Sequence, residues 1–231
     1  MIDYKGIKLP DGEAHLQEWM EKVGHMREGK PTYQYHKYSA ALNFCKNFRL
    51  AVDVGAHVGL WSRVMALDFA KVKGFEPMAE HAACWRVNMA HAAHASLTEC
   101  ALGEVEGIVR VQTRTPGSSG DTGVDPVAER SSLRAAVDEG GQEAAIFRLD
   151  KFELEDVDFM KIDCEGYEIF VLRGAEETLR RCKPCVIVEQ KPETGGFKRY
   201  GIGVTDAVSF LEGLGAKVRA GIQGDYILSW D

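Results

Sequence analysis

Apolar residues recur along this chain in two rhythms, and the rhythms alternate. Short runs at 50–54, 71–75, 157–162 and 185–188, rich in Val, Ile and Phe, and a fifth at 96–100 read as strands. Between them, 60–69, 78–92, 166–181 and 204–213 carry apolar positions three and four apart and read as helices. Such alternation predicts a parallel sheet with right-handed crossovers, an α/β fold. Two further strands, 216–219 and 225–230, flank Gly221-Ile222-Gln223-Gly224 and read as a closing hairpin.

Ahead of the first strand, Asp11 or Gly12 opens a helix through Lys22, with Leu16, Trp19, Met20 and Val23 on one face. The stretch 24–31 breaks it, and 38–47 reads as a second helix. Between the two, Tyr33, Tyr35, His36 and Tyr38 form an aromatic-polar cluster, read as helix packing or as part of a lid. Val109 and Val111 suggest a short extra strand. The stretch 113–141, rich in Gly, Ser, Asp and charge, reads as one long loop, expected to be a mobile substrate lid with a short helix near 127–137. The core resumes at 145–149, and no internal repeat or separable linker interrupts the pattern.

The bulk numbers narrow the class. A chain of 231 residues suffices for one well-buried domain with an appendage. Its hydrophobic content of 45% and charged content of 27% are those of a globular enzyme. A net charge of −7 argues against nucleic acid as a habitual partner, because such binding rests on a basic surface. No apolar run approaches the ~20 residues of a membrane span, and residues 1–6 lack a signal-peptide core, so no membrane partner and a cytoplasmic location are expected. Of the six cysteines, Cys182 and Cys185 have a C-x-x-C spacing, but no second pair or histidine motif accompanies them, and they read as structural thiols.

Chemistry concentrates at the end of the first strand. Asp53-Val54-Gly55-Ala56-His57-Val58-Gly59 is an acid followed by a tight glycine turn that opens a helix. Glycines there let backbone approach a ligand that a Cβ would exclude. A dinucleotide site wants G-x-G-x-x-G aimed at a pyrophosphate; here His57 stands at the middle glycine and Leu60 at the third. Asp53 would repel a phosphate but suits an ammonium or sulfonium, so D-x-G-x-x-x-G points to S-adenosylmethionine rather than NAD. Glu76, at the tip of the second strand and followed by Pro77, stands where a ribose diol is gripped.

A second segment, Lys161-Ile162-Asp163-Cys164-Glu165-Gly166-Tyr167-Glu168, runs from a buried strand into an acidic turn. Together the two segments resemble the signatures D-V-G-A-N-x-G and K-I-D-x-E-G-x-E of the FkbM-type S-adenosylmethionine-dependent methyltransferases. The likeness extends through Gly74-Phe75-Glu76-Pro77, Cys100-Ala101-Leu102-Gly103, Phe147-Arg148-Leu149-Asp150 and Val171-Leu172-Arg173-Gly174-Ala175, covering 50–190. His57 and Cys100 depart from it, both where asparagine is common. The resemblance implies a class I methyltransferase, Rossmann-like, with a seven-stranded mostly parallel sheet of order 3-2-1-4-5-7-6. Residues 1–48 would be an N-terminal helical cap of the same domain, and 49–231 the S-adenosylmethionine-binding part.

Open α/β sheets bind ligands at the carboxyl ends of their strands, where strand order reverses. Asp53, Gly55, Ala56, His57 and Gly59 are therefore expected under the methionine part of the cofactor, Glu76 and Pro77 at the ribose, Ala101 and Leu102 at the adenine, and Asp163 beside the transferring methyl. Asp163, Glu165 and Glu189 are the candidate catalytic acids, whereas His57, His91 and His94 lack a partner motif and read as surface or turn residues. Asp163, Glu189 and Gln190 are candidate ligands for Mg²⁺, with metal-free acid–base chemistry preferred and Glu189 alternatively bonding a lysine such as Lys161. The family resemblance implies O-methylation of a hydroxyl on a sugar, glycan or natural product. Kept beside it are a non-catalytic cofactor-binding partner subunit and a methyltransferase acting on nitrogen or nucleic acid. The last is disfavoured because no [D/N]-P-P-[Y/F] follows the fourth strand. A homo-oligomer is compatible with all of these. Acceptor choice is expected to lie in the N-terminal helices, 113–141 and 191–203.

Overall fold

The computed structural model describes residues 1–124, 141–191 and 196–230. Seven strands form the main sheet: β1 (Leu50–Val54), β2 (Lys71–Phe75), β3 (Ala95–Thr98), β4 (Val157–Ile162), β5 (Cys185–Glu189), β6 (Lys217–Ile222) and β7 (Asp225–Ser229). Hydrogen bonding sets their order as β6-β7-β5-β4-β1-β2-β3. Pairing is parallel from β3 to β5, while β7 runs antiparallel to both β5 and β6. The chain reverses direction across the sheet between β1 and β4, so their carboxyl ends open a crevice there. Every residue of β4 and β5 is buried, as expected of central parallel strands covered on both faces.

Helices Leu60–Asp68 and Ala79–Asn88 follow β1 and β2. The helical stretch after β4 is two helices, Glu168–Arg173 and Glu176–Cys182, rather than one across 166–181. They part at Gly174, where a Cβ would collide with the Gly103 carbonyl, so the chain must turn against the neighbouring strand end. At the N-terminus, Ile2–Tyr4 and Ile7–Leu9 make a small hairpin before the helix His15–Val23, and the second helix is Tyr35–Leu42 rather than 38–47. Ile7, Leu9, Leu16 and Met20 pack on Val58, Leu60 and Cys84, which fastens this segment over the first glycine turn.

The largest correction concerns 113–124, the described part of the stretch read as one long loop. Gly107–Thr115 and Ser118–Val124 form an antiparallel hairpin, joined by Gln142–Phe147 and Ala101–Leu102 in a four-stranded sheet. Val109, Val111 and Val124 turn into the main core, and this burial overrides the weak strand propensity of Ser118-Ser119-Gly120. The expected short helix near 127–137 lies outside the described residues. Cys182 and Cys185 do not converge: the Cys182 thiol donates to Leu154 O at 3.7 Å and the Cys185 thiol to Ala41 O at 3.4 Å.

Candidate active site

The site is built from the exit of β1. Gly55 has φ +70°, and a Cβ there would collide with the Asp163 carbonyl; only glycine lets the ends of β1 and β4 lie this close. Gly59, at φ +88°, caps the following helix, and a Cβ on it would sit 2.8 Å from the Trp85 ring. His57 between them also takes a left-handed φ of 51°, a region in which His, Asn and Asp are enriched among non-glycine residues. Gly55 N–H and Ala56 N–H donate to Phe75 O at 3.1 and 3.0 Å, tying the turn to the tip of β2.

Asp53 lies beneath this turn, fully buried, and does not line the cavity above it. Its Oδ2 accepts from Ser62 Oγ at 2.7 Å, and Ser62 Oγ accepts from Trp85 Nε1 at 2.9 Å. Lys161 Nζ stands 3.3 Å from Asp53 Oδ1 and donates to Gly55 O at 2.7 Å and Val54 O at 3.2 Å. Burial raises the Asp53 pKa, opposed by Lys161 and Ser62. For Lys161, burial works downward, but Asp53 and Asp163 outweigh it and the net shift is upward. The sequence reading sets Asp53 against a cationic ligand; in the structure its charge is matched by Lys161, and the pair holds the turn from below. A lysine inside the apolar run of β4 was the available signal, because a buried ammonium requires a partner. Lys161 therefore forms an ion pair with Asp53, and Glu189 pairs with Lys191 instead.

A cavity of about 960 Å³, including its mouth, opens above the turn at the carboxyl ends of β1, β2 and β4. On one side stands Glu76, 4% exposed. Its Oε2 accepts from His57 N–H at 2.8 Å, and its Oε1 accepts from Met78 N–H at 2.9 Å and faces His81 Nδ1 at 3.3 Å. Pro77 and the apolar Cys100, Ala101 and Leu102 continue this wall. His57 lies in the turn, as one of the two sequence readings has it, and lines the cavity with a bonded ring, its Nε2 lying 2.8 Å from Ser119 Oγ. Burial, then the neighbouring His81 and Lys161, hold its pKa well below the usual imidazole value.

Asp163, Cys164 and Glu165 line the other side. Glu165 and Gly166 both take left-handed φ, 53° and 97°, and the turn is held by Glu168, whose Oε1 accepts from Cys164 N–H at 2.9 Å and Gly166 N–H at 3.0 Å. Carboxylate oxygens of Asp163, Glu168 and Glu189 lie within 4.8 Å of one another. Glu189 borders a second cavity of about 280 Å³ with Glu168 and Gln190, and its Oε1 accepts from Lys191 Nζ. Gln190 does not join the carboxylates; its Oε1 accepts from Val208 N–H at 3.0 Å. Burial, then the Asp163 charge, raises the Glu165 and Glu189 pKa values, and burial pushes Glu168 to about 7 against its backbone N–H donors. Tyr33, from the N-terminal segment, lines the main cavity, and its phenol is raised by burial and then by Asp163 and Glu189.

No curated protein matches the chain. Among solved structures, the precorrin-6y C5,15-methyltransferase of Geobacter metallireducens shares its fold, with a TM-score of 0.50 at 15% identity over 99% of this chain and 100% of that one. An FkbM methyltransferase from Methylobacillus flagellatus aligns at 16% identity and TM-score 0.48 over 80% of this chain. The present chain spans only 44% of that relative's length. A putative methyltransferase from Streptococcus mutans, solved in complex with SAH, aligns at 9% identity and TM-score 0.49 over 85% of this chain and 96% of that one. The family model described as the methyltransferase FkbM domain matches residues 53–218, more than half of the chain and both glycine-turn signatures, and the chain belongs to that family.

Proposed function

We propose that this chain transfers the methyl group of S-adenosylmethionine to a hydroxyl on a sugar, glycan or natural product. The observation that carries the reading is one cavity with Glu76 on its first wall and Asp163 and Glu165 on its second, across a glycine turn. Its apolar wall with a few convergent polar groups suits a nucleoside ligand. When bound, S-adenosylmethionine supplies a methyl already activated on a sulfonium. Glu76 would accept hydrogen bonds from the ribose hydroxyls, its weak 3.3 Å contact with His81 being the one to yield. Pro77, Ala101 and Leu102 would flank the nucleoside, and the turn from Gly55 to Gly59 would pass under the methionine part, with Gly55 and Asp163 nearest its charged end.

The remaining task is to orient the acceptor and take its proton. Asp163 and Glu165 stand in the cavity for this, with Glu189 within 4.8 Å of Asp163. Burial raises the Glu165 and Glu189 carboxyls, so either accepts the hydroxyl proton only in its ionised form, which becomes populated as pH rises. Metal-free chemistry is preferred over Mg²⁺. Oxygen donors suit that ion, but Glu168 is committed to two backbone N–H groups, Glu189 to Lys191 and Gln190 to Val208. The test is a methyl-transfer screen across glycosyl, polyketide and nucleotide acceptors with mass detection, repeated with EDTA and then with Mg²⁺ or Mn²⁺ restored. A +14 Da product on a hydroxyl acceptor, unaffected by EDTA, is expected; methylation confined to nitrogen or to nucleotides would overturn the acceptor assignment.

A further inference from the structure

Three residues distant in sequence meet at the Glu76 side of the cavity. Glu13 precedes the helix His15–Val23, His57 sits in the glycine turn, and Ser119 lies in the hairpin strand Ser118–Val124. Glu13 is 2% exposed. Its Oε1 accepts from Leu16 N–H at 2.8 Å, and its Oε2 accepts from both Ser119 N–H, at 2.6 Å, and Ser119 Oγ. The hairpin is fastened a second time where Gly117 O accepts from Ala14 N–H and His15 N–H at 3.2 and 3.4 Å.

A serine hydroxyl carries one proton, and Ser119 gives it to Glu13. Ser119 Oγ can then only accept from His57 Nε2, 2.8 Å away, so that nitrogen carries a hydrogen. Burial beside His81 and Lys161 keeps the ring neutral, which leaves Nδ1 bare. The backbone N–H of the same histidine donates to Glu76 Oε2. His57, Ser119, Glu76 and His81 all line the cavity, whereas Glu13 stands behind them.

We propose that Glu13 is a positioning residue for the nucleoside end of the methyl-donor site, acting through Ser119 to hold His57 as the Nε2–H tautomer and so to fix the N–H that orients Glu76. The proposal rests on the S-adenosylmethionine reading above. Glu13 lies ahead of the family-matched segment 53–218, so this chain completes the Glu76 wall with a residue from outside it. It also gives a reason for histidine at 57: an asparagine would keep the left-handed turn, but its side chain ends short of the reach of a ring Nε2.

The test pairs ¹⁵N NMR of the histidine rings with calorimetric titration of S-adenosylhomocysteine, on the full chain and its variants. The unaltered protein should show His57 as the neutral Nε2–H form. Glu13→Ala should convert it to a tautomer mixture and weaken binding about tenfold, the scale of one hydrogen bond. Glu13→Gln, which keeps an acceptor for the serine proton, should retain the tautomer and most of the affinity. Ser119→Ala removes only a hydroxyl and carries the same two readouts if Glu13→Ala fails to fold. A His57 found as Nδ1–H or as imidazolium, or a tautomer or affinity unmoved by both Glu13→Ala and Ser119→Ala, overturns the proposal. If the unaltered protein fails to bind S-adenosylhomocysteine, the methyl-donor reading falls, and the tautomer alone then decides the role of Glu13.

Discussion

Each of the two signature segments contributes an aspartate to the paired central strands, and the two end in opposite surroundings. Asp53 on β1 sits opposite Lys161 on β4, fully buried, with a cation and a serine as partners. Asp163, just past the end of β4, keeps a quarter of its side chain exposed and faces the cavity, with Glu165, Glu168 and Glu189 nearby and Lys161 4.0 Å away. A carboxylate at a strand end is therefore not by itself a ligand-binding group. Where the interior supplies the matching charge, the acid fixes backbone. Around Asp163, burial and then the charges of neighbouring acids raise the Glu165 and Glu189 carboxyls, which are poised to exchange protons.

The sharpest way to break this contrast is to leave Asp53 without its cation. Lys161→Met should lower unfolding free energy by about 3–5 kcal/mol, the cost of an uncompensated buried charge. Adding Asp53→Asn should restore much of that loss, and urea denaturation of the single and double variants measures both. If Lys161→Met is as stable as the unaltered chain, the pair does not hold the turn. A smaller effect distinguishes the turn itself from an ordinary left-handed glycine. Gly12 also has positive φ but open space around its missing Cβ, whereas a Cβ at Gly55 collides with the Asp163 carbonyl. Both Gly→Ala changes should destabilise by about 1–3 kcal/mol for strained backbone, with Gly55→Ala the larger and the only one to disturb ligand binding.

The acid side should show itself in pH dependence. Glu189 has a folded pKa above its ordinary value of 4.5, so over that interval the native state holds more protons than the unfolded chain. Stability is then greatest on the acid side of the interval and falls as pH rises through it, by up to about 1.4 kcal/mol per pH unit for one proton. Glu189→Gln should flatten this slope in denaturation curves taken from pH 5 to 9. An unaltered slope would mean that Glu189 titrates normally.

Much of the sheet was legible because its strands are apolar runs bounded by glycine turns: the ranges of β1 and β2 follow directly from Leu50–Val54 and Lys71–Phe75. The walls of the cavity followed from position alone, since Glu76, Ala101, Leu102 and Asp163 stand at strand ends. What was illegible depends on contacts between distant segments. Ser118–Val124 has a turn-like composition and becomes a strand only because Gly107–Thr115 pairs with it and Val124 is buried. The direction of Asp53 depends on a lysine 108 positions later, and the bond from Glu13 to Ser119 spans 106 positions. The lysine in the apolar run of β4 signals that a buried partner exists, but no local pattern names Asp53 or Ser119 as the partner.

Calorimetry with S-adenosylhomocysteine and NAD asks whether the Glu76 wall binds the adenosyl part of a methyl donor. The unaltered protein should bind S-adenosylhomocysteine and show no comparable heat with NAD. Glu76→Ala should weaken that binding by about 1.5–3 kcal/mol, the range for hydrogen bonds to a charged group. Tight NAD binding, or a Glu76→Ala variant with unchanged affinity, would contradict the account.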